Sequence, residues 1–430
     1  MDELYHRHHG LAKECYNLKM QDEKLSIYDY LKMGLAAIVI GGVVSGIMLV
    51  FHTLVEWAEI TRINSDIWLY CLPLGGILIV WVYKINHLKS AVGSAAVFKR
   101  IQHDETITRG YPLTVFIASI ISHLCGASVG QTNASMQIGG GIADYLSSKF
   151  PLGRIAKRCL VLSGIAAAFA SIFETPLAAT FFAIEVTTFG SLYYRALPTC
   201  LIASYVALFI NRMGEIKPLP LNFIKIPEYN LVNLVKCGLL AFFGALLAIA
   251  FVLLIKLCIK WFKQWDSRYW RIVISGSILV IIYLLFGRIY AGDGKEMLLL
   301  LANQRVLWFA FLLKMLTTAI SAAGGYQGGM VTPTLVIGIM FGYNAAGVLG
   351  MPQGLGICIG LIALFVGVVN APLCGMIMAI ELFGIYGIGY YLMAVLIADQ
   401  CSLDFKIFDA QEIKRGKFLL QFITKIMRRI

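Results

Sequence analysis

The sequence predicts an all-α integral membrane protein built from two related halves. Three observations support this prediction. The 430-residue chain is 59% hydrophobic with a mean hydropathy of +0.77, it contains long runs with almost no charge, and two of its motifs recur. Only 14% of its residues are charged, whereas a soluble domain has about 25%. Lipid must therefore be a main solvent of this protein, and the long apolar runs are unlike the alternating ten-residue segments of a transmembrane barrel.

The apolar runs differ in length. Residues 35–54 and 239–255 approach the ~20 residues that span hydrocarbon, whereas 115–124 is distinctly shorter. Short runs interrupted by Gly and Pro predict discontinuous helices, whose freed backbone groups must line a cavity or lie against protein. We expect about 10 to 18 membrane helices of this mixed kind.

The charge pattern predicts orientation rather than nucleic-acid binding. The formal net charge is +12, and basic residues cluster near both ends of the chain and at 84–89. By the positive-inside rule both termini and that segment are cytoplasmic, and 56–66 is an opposite loop, in a plasma or inner membrane. The ten cysteines are scattered without a C-x-x-C pair, so neither a disulfide framework nor a metal site is expected. No cofactor is expected either.

Internal self-similarity is the most specific signal. Thr175-Pro176-Leu177-Ala178 leads to Phe182-Ala183-Ile184-Glu185, and Ala371-Pro372-Leu373-Cys374 leads to Met378-Ala379-Ile380-Glu381, so both Pro and both Glu are 196 residues apart. The turns that begin at Gly130 and Gly329 are 199 residues apart. We therefore predict a cytoplasmic segment 1–29, a first repeat 30–212, a linker 213–228, a second repeat 229–413 and a basic cytoplasmic tail 414–430. Such repeats are typical of transporters with a site near the midplane.

The repeated glycine turns indicate what that site binds. GASVG at 126–130 precedes a helix start near Asn133, and GGYQGG at 324–329 precedes one near Thr332. Glycine allows close backbone approach, and helix N-termini present unpaired N–H groups with partial positive charge. Two such ends at mid-membrane would bind a small anion without a fixed cation. The alternative is that these glycines only allow close helix packing.

At these residues the chain resembles the CLC family of voltage-gated chloride channels and proton-coupled anion antiporters. The resemblance covers roughly 30–413. Gly130 to Ile138 (GQTNASMQI) stands where the family has GREGPTVQI, and Gly329 to Pro333 (GMVTP) stands at its GxFxP. Ser94 falls near the start of its GSGIP. The pattern is most similar to the fluoride-transporting branch, with GMVTP against that branch's GEVTP. The resemblance implies a homodimer with one anion pathway in each subunit.

The resemblance also places the anion-pathway residues, and it marks departures at positions used for proton coupling. It implies that the pathway is lined by Ser94, Gly130, Gln131, Thr132, Asn133, Gly329, Met330, Val331 and Phe408. The family's gating glutamate corresponds to Thr132, its inner proton glutamate to Val186, and the fluoride branch's central glutamate to Met330. A threonine, a valine and a methionine cannot carry a proton at accessible pH.

We therefore expect a non-enzymatic, passive pathway for chloride, fluoride or a similar small anion, with the halide bound at the site and the lipid bilayer around it. One alternative is a proton-coupled antiporter that moves its proton through Glu174, Asp409 or water. Another is a non-conducting relative that acts as a scaffold or sensor. The symmetric Glu185 and Glu381 are interpreted as structural carboxylates that cap backbone N–H groups rather than as proton carriers.

Overall fold

The computed structural model describes residues 26–86, 88, 94–214, 226–302, 307–408, 410–413 and 417. Within them the chain is almost wholly helical, which confirms the predicted all-α membrane fold. The predicted terminal segments 1–29 and 414–430 and the linker 213–228 lie largely outside the described residues, and Asp409 lies outside them entirely.

The helices form two series in chain order. The first comprises α1 (Ile27–Asn64), α2 (Ile67–Tyr70), α3 (Leu72–Ile85), α4 (Ala95–His103), α5 (Tyr111–Leu124), α6 (Thr132–Ser147), α7 (Arg154–Phe173), α8 (Pro176–Glu185) and α9 (Leu197–Met213). The second comprises α10 (Leu231–Phe262), α11 (Arg268–Phe286), α12 (Lys295–Ala302), α13 (Ala310–Gly324), α14 (Val331–Leu349), α15 (Gln353–Val369), α16 (Pro372–Phe383) and α17 (Ile388–Cys401). Single-turn 3-10 helices lie at Tyr194–Ala196, Arg288–Tyr290 and Ile385–Gly387.

Every helix of the first series except the one-turn α2 has a counterpart at the same place in the second series. The starts of α6 and α14 are 199 residues apart, and those of α8 and α16 are 196 apart. These are the offsets at which the motifs recur. The inverted repeat that the sequence predicts is therefore a repeat of structure.

Six helices of the described chain are long and apolar enough to cross a membrane: α1, α7, α9 with its preceding 3-10 turn, α10, α11 and α14. Seven shorter apolar helices accompany them, including α8 and α16. Four of these short helices, α3, α5, α8 and α16, have Pro in their first turn, where the missing N–H costs no hydrogen bond. This mixture of long and broken helices is what the uneven apolar runs predict.

The core lies around α7 and α15, which are buried along nearly their whole lengths. Each crosses its preceding helix at a glycine pair. A Cβ built on Gly139 would lie 2.5 Å from the Gly164 carbonyl oxygen, and one on Gly338 would lie 2.5 Å from that of Gly360. Close approach of α6 to α7 and of α14 to α15 is therefore possible only with glycine at these crossings.

One contact joins the carboxy-terminal segment to the first repeat. Strands β1 (Thr188–Phe189) and β2 (Glu412–Ile413) pair in parallel. The Gln102 Nε2 of α4 donates to the carbonyl oxygens of Thr187 (2.8 Å) and Ala410 (3.0 Å). The segment that follows α17 is thereby held beside α4 and the end of α8.

Candidate anion site

The starts of α6 and α14 meet face to face. The Gly130 N–H donates to the Gly329 carbonyl oxygen at 2.7 Å, and the Gly329 N–H donates to the Gly130 carbonyl oxygen at 2.5 Å. A Cβ on Gly130 would lie 2.5 Å from Thr332 Cβ, and one on Gly329 would lie 2.7 Å from the Asn133 nitrogen. The two repeats therefore touch backbone to backbone, which requires glycine on both sides.

Both helix starts keep first-turn N–H donors. Gln131 and Met330 occupy the N-cap positions, and neither side chain caps its helix. Thr132 and Val331 are each 1% exposed. Unpaired first-turn N–H groups carry the positive end of the helix dipole, and burial strengthens their attraction for a negative charge. This geometry suits a small anion rather than a cation.

Thr132, the predicted gate position, contacts the opposite repeat. The Thr132 and Thr332 hydroxyl oxygens lie 2.8 Å apart, and both side chains are buried. Thr332 was not among the residues predicted to line the site, although it stands in the GMVTP motif beside Val331. A hydroxyl pair can donate to an anion but cannot take up a proton at accessible pH.

The two residues that flank Thr132 face different surroundings. The Gln131 Oε1 lies 3.0 Å from His52 Nδ1 on α1, so its amide is engaged there. The Asn133 Oδ1 is buried and has no hydrogen-bond partner among the described residues. The carbonyl oxygen of Asn133 accepts from Gln137 Nε2 at 3.0 Å, one turn along α6.

Gln137 belongs to a buried polar cluster that sequence reasoning missed. Its Oε1 accepts from the Tyr111 hydroxyl at 2.5 Å and from Gln327 Nε2 at 3.4 Å. The Tyr83 hydroxyl donates to Gln327 Oε1 at 2.8 Å. The only available signal was the position of Gln137, four residues after Asn133 and thus on the same helix face.

Ser94 lies at the start of α4, and Phe408 packs against the same helix one turn later. Ser94 is the N-cap of α4 and is 7% exposed. The Phe98 ring packs edge-on against Phe408 at a centroid distance of 5.5 Å. A Cβ on Gly140 would lie 2.9 Å from Val97 Cγ1, which places α4 against α6. The start of α4 and Phe408 therefore belong to the surroundings of α6.

The remaining positions of the predicted proton routes lie in apolar or peripheral places. Met330 is half-buried and packs on an apolar cluster of α10, α13 and α15 residues. Val186 is the C-cap of α8 and is completely buried. Glu174 ends α7 in the left-handed conformation, with φ of 54°.

The symmetric carboxylates of Glu185 and Glu381 each form hydrogen bonds to the opposite repeat. Glu185 accepts backbone N–H bonds from Leu373 (3.2 Å) and Cys374 (3.0 Å) at the start of α16. Glu381 accepts from Leu177 (3.0 Å) and Ala178 (2.8 Å) at the start of α8. Each carboxylate thus satisfies first-turn donors of its counterpart helix.

A partly buried cluster of charged side chains lies at the end of α1. The Arg62 Nη2 lies 3.0 Å from Glu296 Oε1, and the Lys295 Nζ lies 3.8 Å from Glu59 Oε2 and 3.5 Å from Asp293 Oδ2. These five residues, together with Lys314, are called the α1-end cluster below. The sequence did not predict the cluster.

The α1-end cluster contacts the segment between α11 and α12 through Lys314 and the turn that precedes α6 through Arg62. The fully buried Lys314 Nζ donates to the carbonyl oxygens of Tyr290 (3.1 Å) and Gly292 (2.7 Å). A Cβ on Gly126 would lie 3.1 Å from Arg62 Cδ. Arg62 Nε and Nη1 and Glu59 Oε1 are buried without a partner among the described residues. The part of the chain that the structure describes contains no group of three or more His, Cys, Asp or Glu side chains that could hold a metal ion.

A two-repeat helical membrane protein with paired helix starts at a buried junction is an ion-transport protein of the broken-helix class. The comparisons name the family. A model described as "Voltage gated chloride channel" matches residues 75–402. The chain belongs to this family, whose members are anion channels and transporters rather than enzymes, and it is a multi-pass integral membrane protein.

Relatives within the family differ in transport mode. A "Chloride/fluoride channel protein" of Pseudomonas syringae pv. tomato is 29% identical over 371 residues, which are 82% of this chain and 79% of that protein. The "H(+)/Cl(-) exchange transporter ClcA" of Vibrio cholerae is 26% identical over 299 residues, or 63% of this chain and 61% of that protein. The first is named as a channel and the second as an exchanger.

Solved structures agree in fold. A CLC-type fluoride/proton antiporter superposes with a TM-score of 0.87 at 24% identity, covering 91% of this chain and all of that one. A slow cyanobacterial Cl-/H+ antiporter superposes with a TM-score of 0.72 at 21% identity, covering 86% of this chain and 94% of that one. These likenesses place the chain in the CLC fold.

Proposed function

We propose that the chain is a passive pathway for small anions of the chloride and fluoride kind, without obligatory proton exchange. The observation that carries the proposal is the Thr132–Thr332 hydroxyl pair at the meeting point of α6 and α14. A hydroxyl at the gate can donate a hydrogen bond to a passing anion and does not alternate between charged and neutral forms. Transport through such a gate has no step that requires a proton.

The proposed route uses the donors already described. The anion exchanges part of its hydration shell for the first-turn N–H groups of α6 and α14 and for hydroxyl donors at Ser94 and Thr132. Phe408, whose ring edge is partly positive, would contribute from the carboxy-terminal segment. Proposed lining residues are therefore Ser94, Gly130, Gln131, Thr132, Asn133, Gly329, Met330, Val331 and Phe408, with a halide as the bound species.

Reconstituted proteoliposomes test the transport mode. A chloride or fluoride gradient should drive an anion current that reverses at the Nernst potential of that anion, and an imposed pH gradient should not displace the reversal. The variant Thr132→Glu restores a titratable gate and should make the flux fall and become pH-dependent. A reversal potential in the wild type that moves with the pH gradient would contradict the proposal, and an absence of flux would favour a non-conducting role.

A proton-coupled antiporter is the second candidate, and the α1-end cluster favours it. This cluster contains Glu59, whose Oε1 is buried without a partner among the described residues, three residues before Arg62, and Arg62 lies against the turn that leads to Thr132. In this candidate Glu59 replaces the missing gate carboxylate as proton acceptor. It predicts that anion-driven proton uptake occurs in the wild type and is abolished in Glu59→Gln, while Glu105→Gln, a change at an exposed glutamate, leaves it intact.

Homodimer formation and cytoplasmic termini are also proposals. The first rests on the family resemblance and the second on the distribution of Lys and Arg. Cross-linking in native membranes tests the first. Labelling of cysteines placed at the two ends of the chain tests the second.

A further inference from the structure

An apolar groove of about 440 Å³ opens on the side of the helix bundle. Its walls come from α1, α5 and α6, and its lining residues are Val43, Ile47, Arg109, Pro112, Leu113, Phe116, Ile138, Gly141, Ile142, Tyr145 and Leu146. This volume falls within the range of small-molecule sites. Only Arg109 and Tyr145 carry polar atoms in their side chains, so the groove selects a mainly hydrocarbon occupant.

The shape of the groove follows from one close contact. A Cβ on Gly141 would lie 2.5 Å from Pro112 Cγ, so the first turn of α5 closes against α6. From Ile138 to Leu146 the groove follows α6 for about 12 Å, at 1.5 Å per residue. One leaflet of a bilayer has a hydrocarbon depth of about 15 Å. The groove therefore matches one acyl chain in length.

The groove opens toward lipid rather than toward water. Leu113 is 61% exposed and Val43 is 40% exposed, and both lie on helices of the membrane bundle. A soluble ligand would have to cross hydrocarbon to reach these walls. An acyl chain is already there.

Two cations stand at one end of the groove. The Arg109 guanidinium lies 5.8 Å and the Lys149 ammonium 5.4 Å from the centroid of the Tyr145 ring. Neither cation forms an ion pair with a residue of the described chain. Tyr145 itself is 45% exposed, as is usual for a tyrosine at a membrane interface. This end lies where α5 begins and α6 ends, which the positive-inside rule assigns to the cytoplasmic face.

We propose that this groove binds an anionic phospholipid, with one acyl chain between α1, α5 and α6 and the headgroup phosphate on Arg109 and Lys149. The apolar walls of the groove contact the acyl chain, and the two cations, which have no ion-pair partner among the described residues, bind the negatively charged phosphate. Anionic lipids are attracted by clustered Lys and Arg at the cytoplasmic leaflet. The same cations lie along Tyr145, so the aromatic ring marks the depth at which the headgroup sits.

Native mass spectrometry of the detergent-purified protein tests the proposal, with phosphatidylglycerol and phosphatidylcholine as the two probes. The wild type should retain phosphatidylglycerol preferentially. The double variant Arg109→Gln with Lys149→Gln should weaken that binding about 25-fold, as expected for two surface cations. Lys260→Gln with Lys263→Gln, which removes two exposed cations near the end of α10, is the matched control and should bind as the wild type does.

A third variant tests the acyl-chain part. Val43→Trp fills the groove from α1 without changing any charge, and it should reduce phosphatidylglycerol binding while the protein still elutes as a single species. Equal loss in the Lys260/Lys263 control would overturn the site in favour of general charge attraction. Unchanged binding in Val43→Trp, or displacement of the lipid by inorganic phosphate alone, would overturn the role of the groove.

Discussion

The hydroxyl oxygens of Thr132 and Thr332 lie 2.8 Å apart, although the two residues are 200 positions apart in the chain. Each belongs to the first turn of a helix that starts at the junction of the two repeats. This bond is the most direct side-chain link between the repeats at the candidate anion site. Its strength therefore bears on how readily the junction opens.

Removing the Thr332 hydroxyl should raise anion flux, and removing the Thr132 hydroxyl should raise it less because the anion also loses a donor there. Thr132→Val and Thr332→Val each lose one hydrogen bond of ~1 kcal/mol, which corresponds to about a fivefold shift toward an open junction. The double variant should show little further gain, since both changes remove the same bond. Liposome efflux with an ion-selective electrode measures the effect. Thr334→Val, whose hydroxyl bonds to the Met330 carbonyl within α14, is the control. Fully additive gains would contradict a shared bond.

Alanine at the glycine crossings should destabilise the protein. Gly139→Ala and Gly338→Ala push a methyl group against a carbonyl oxygen of the facing helix, and overpacking of this kind costs about 1–3 kcal/mol. Thermal unfolding in detergent measures the loss. Gly347→Ala, in the same helix as Gly338 but with no neighbouring atom within 4 Å, should leave the melting temperature equal or slightly higher. A similar loss in all three variants would contradict the crossing argument.

Replacing Glu185 or Glu381 by glutamine should also lower the stability of the protein. Glu185→Gln keeps one acceptor oxygen and places an amide group against a backbone N–H, so about 2 kcal/mol of charge-assisted hydrogen bonding is lost. Glu381→Gln should cost less because its contacts with Leu177 and Ala178 are less buried. The free energy of unfolding measures both. Glu105→Gln, at an exposed side chain 4.0 Å from Lys99, should have almost no effect.

Asp293 in the loop between α11 and α12 should give the stability a pH dependence. Burial raises the pKa of this carboxyl, but the Lys295 ammonium and the Lys295 N–H outweigh burial and hold the pKa below its ordinary value. A depressed pKa stabilises the fold above the unfolded value of about 4, and this stability is lost as the pH falls through the folded pKa. Asp293→Asn should therefore lower the melting temperature at pH 7 and make progressively less difference below pH 4.

The matched variant for this titration is Asp66→Asn. Asp66 forms an exposed ion pair with Arg288 at 2.8 Å, which should contribute little at any pH. A melting-temperature difference for Asp293→Asn that stays constant from pH 7 to pH 3 would show that the carboxyl acts through packing rather than charge.

Much of this architecture could be predicted because it repeats along the chain. The repeated glycine turns located the helix starts of α6 and α14 to within one residue. Composition predicted the membrane, and the broken apolar runs predicted the short helices. These signals are local or periodic, so a single sequence contains them.

Contacts between remote, non-repeated residues could not be predicted. Arg62 meets Glu296 across 234 positions, and Tyr83 meets Gln327 across 244. Neither pair recurs at the repeat offset, and each member alone is an ordinary polar residue near a helix end. Their pairing depends on how α1 and α3 pack against the second repeat, which no local pattern specifies.

The crossed carboxylates have a consequence for motion. Glu185 accepts hydrogen bonds from the start of α16, and Glu381 accepts them from the start of α8. A rotation of one half of the molecule against the other would therefore break four charge-assisted hydrogen bonds. The helices α8 and α16 are thus cross-linked to each other, and this link resists movement between the two halves. On the proposed function, an anion would then cross by small displacements of side chains and turns around α8 and α16, without a movement of the two halves against each other.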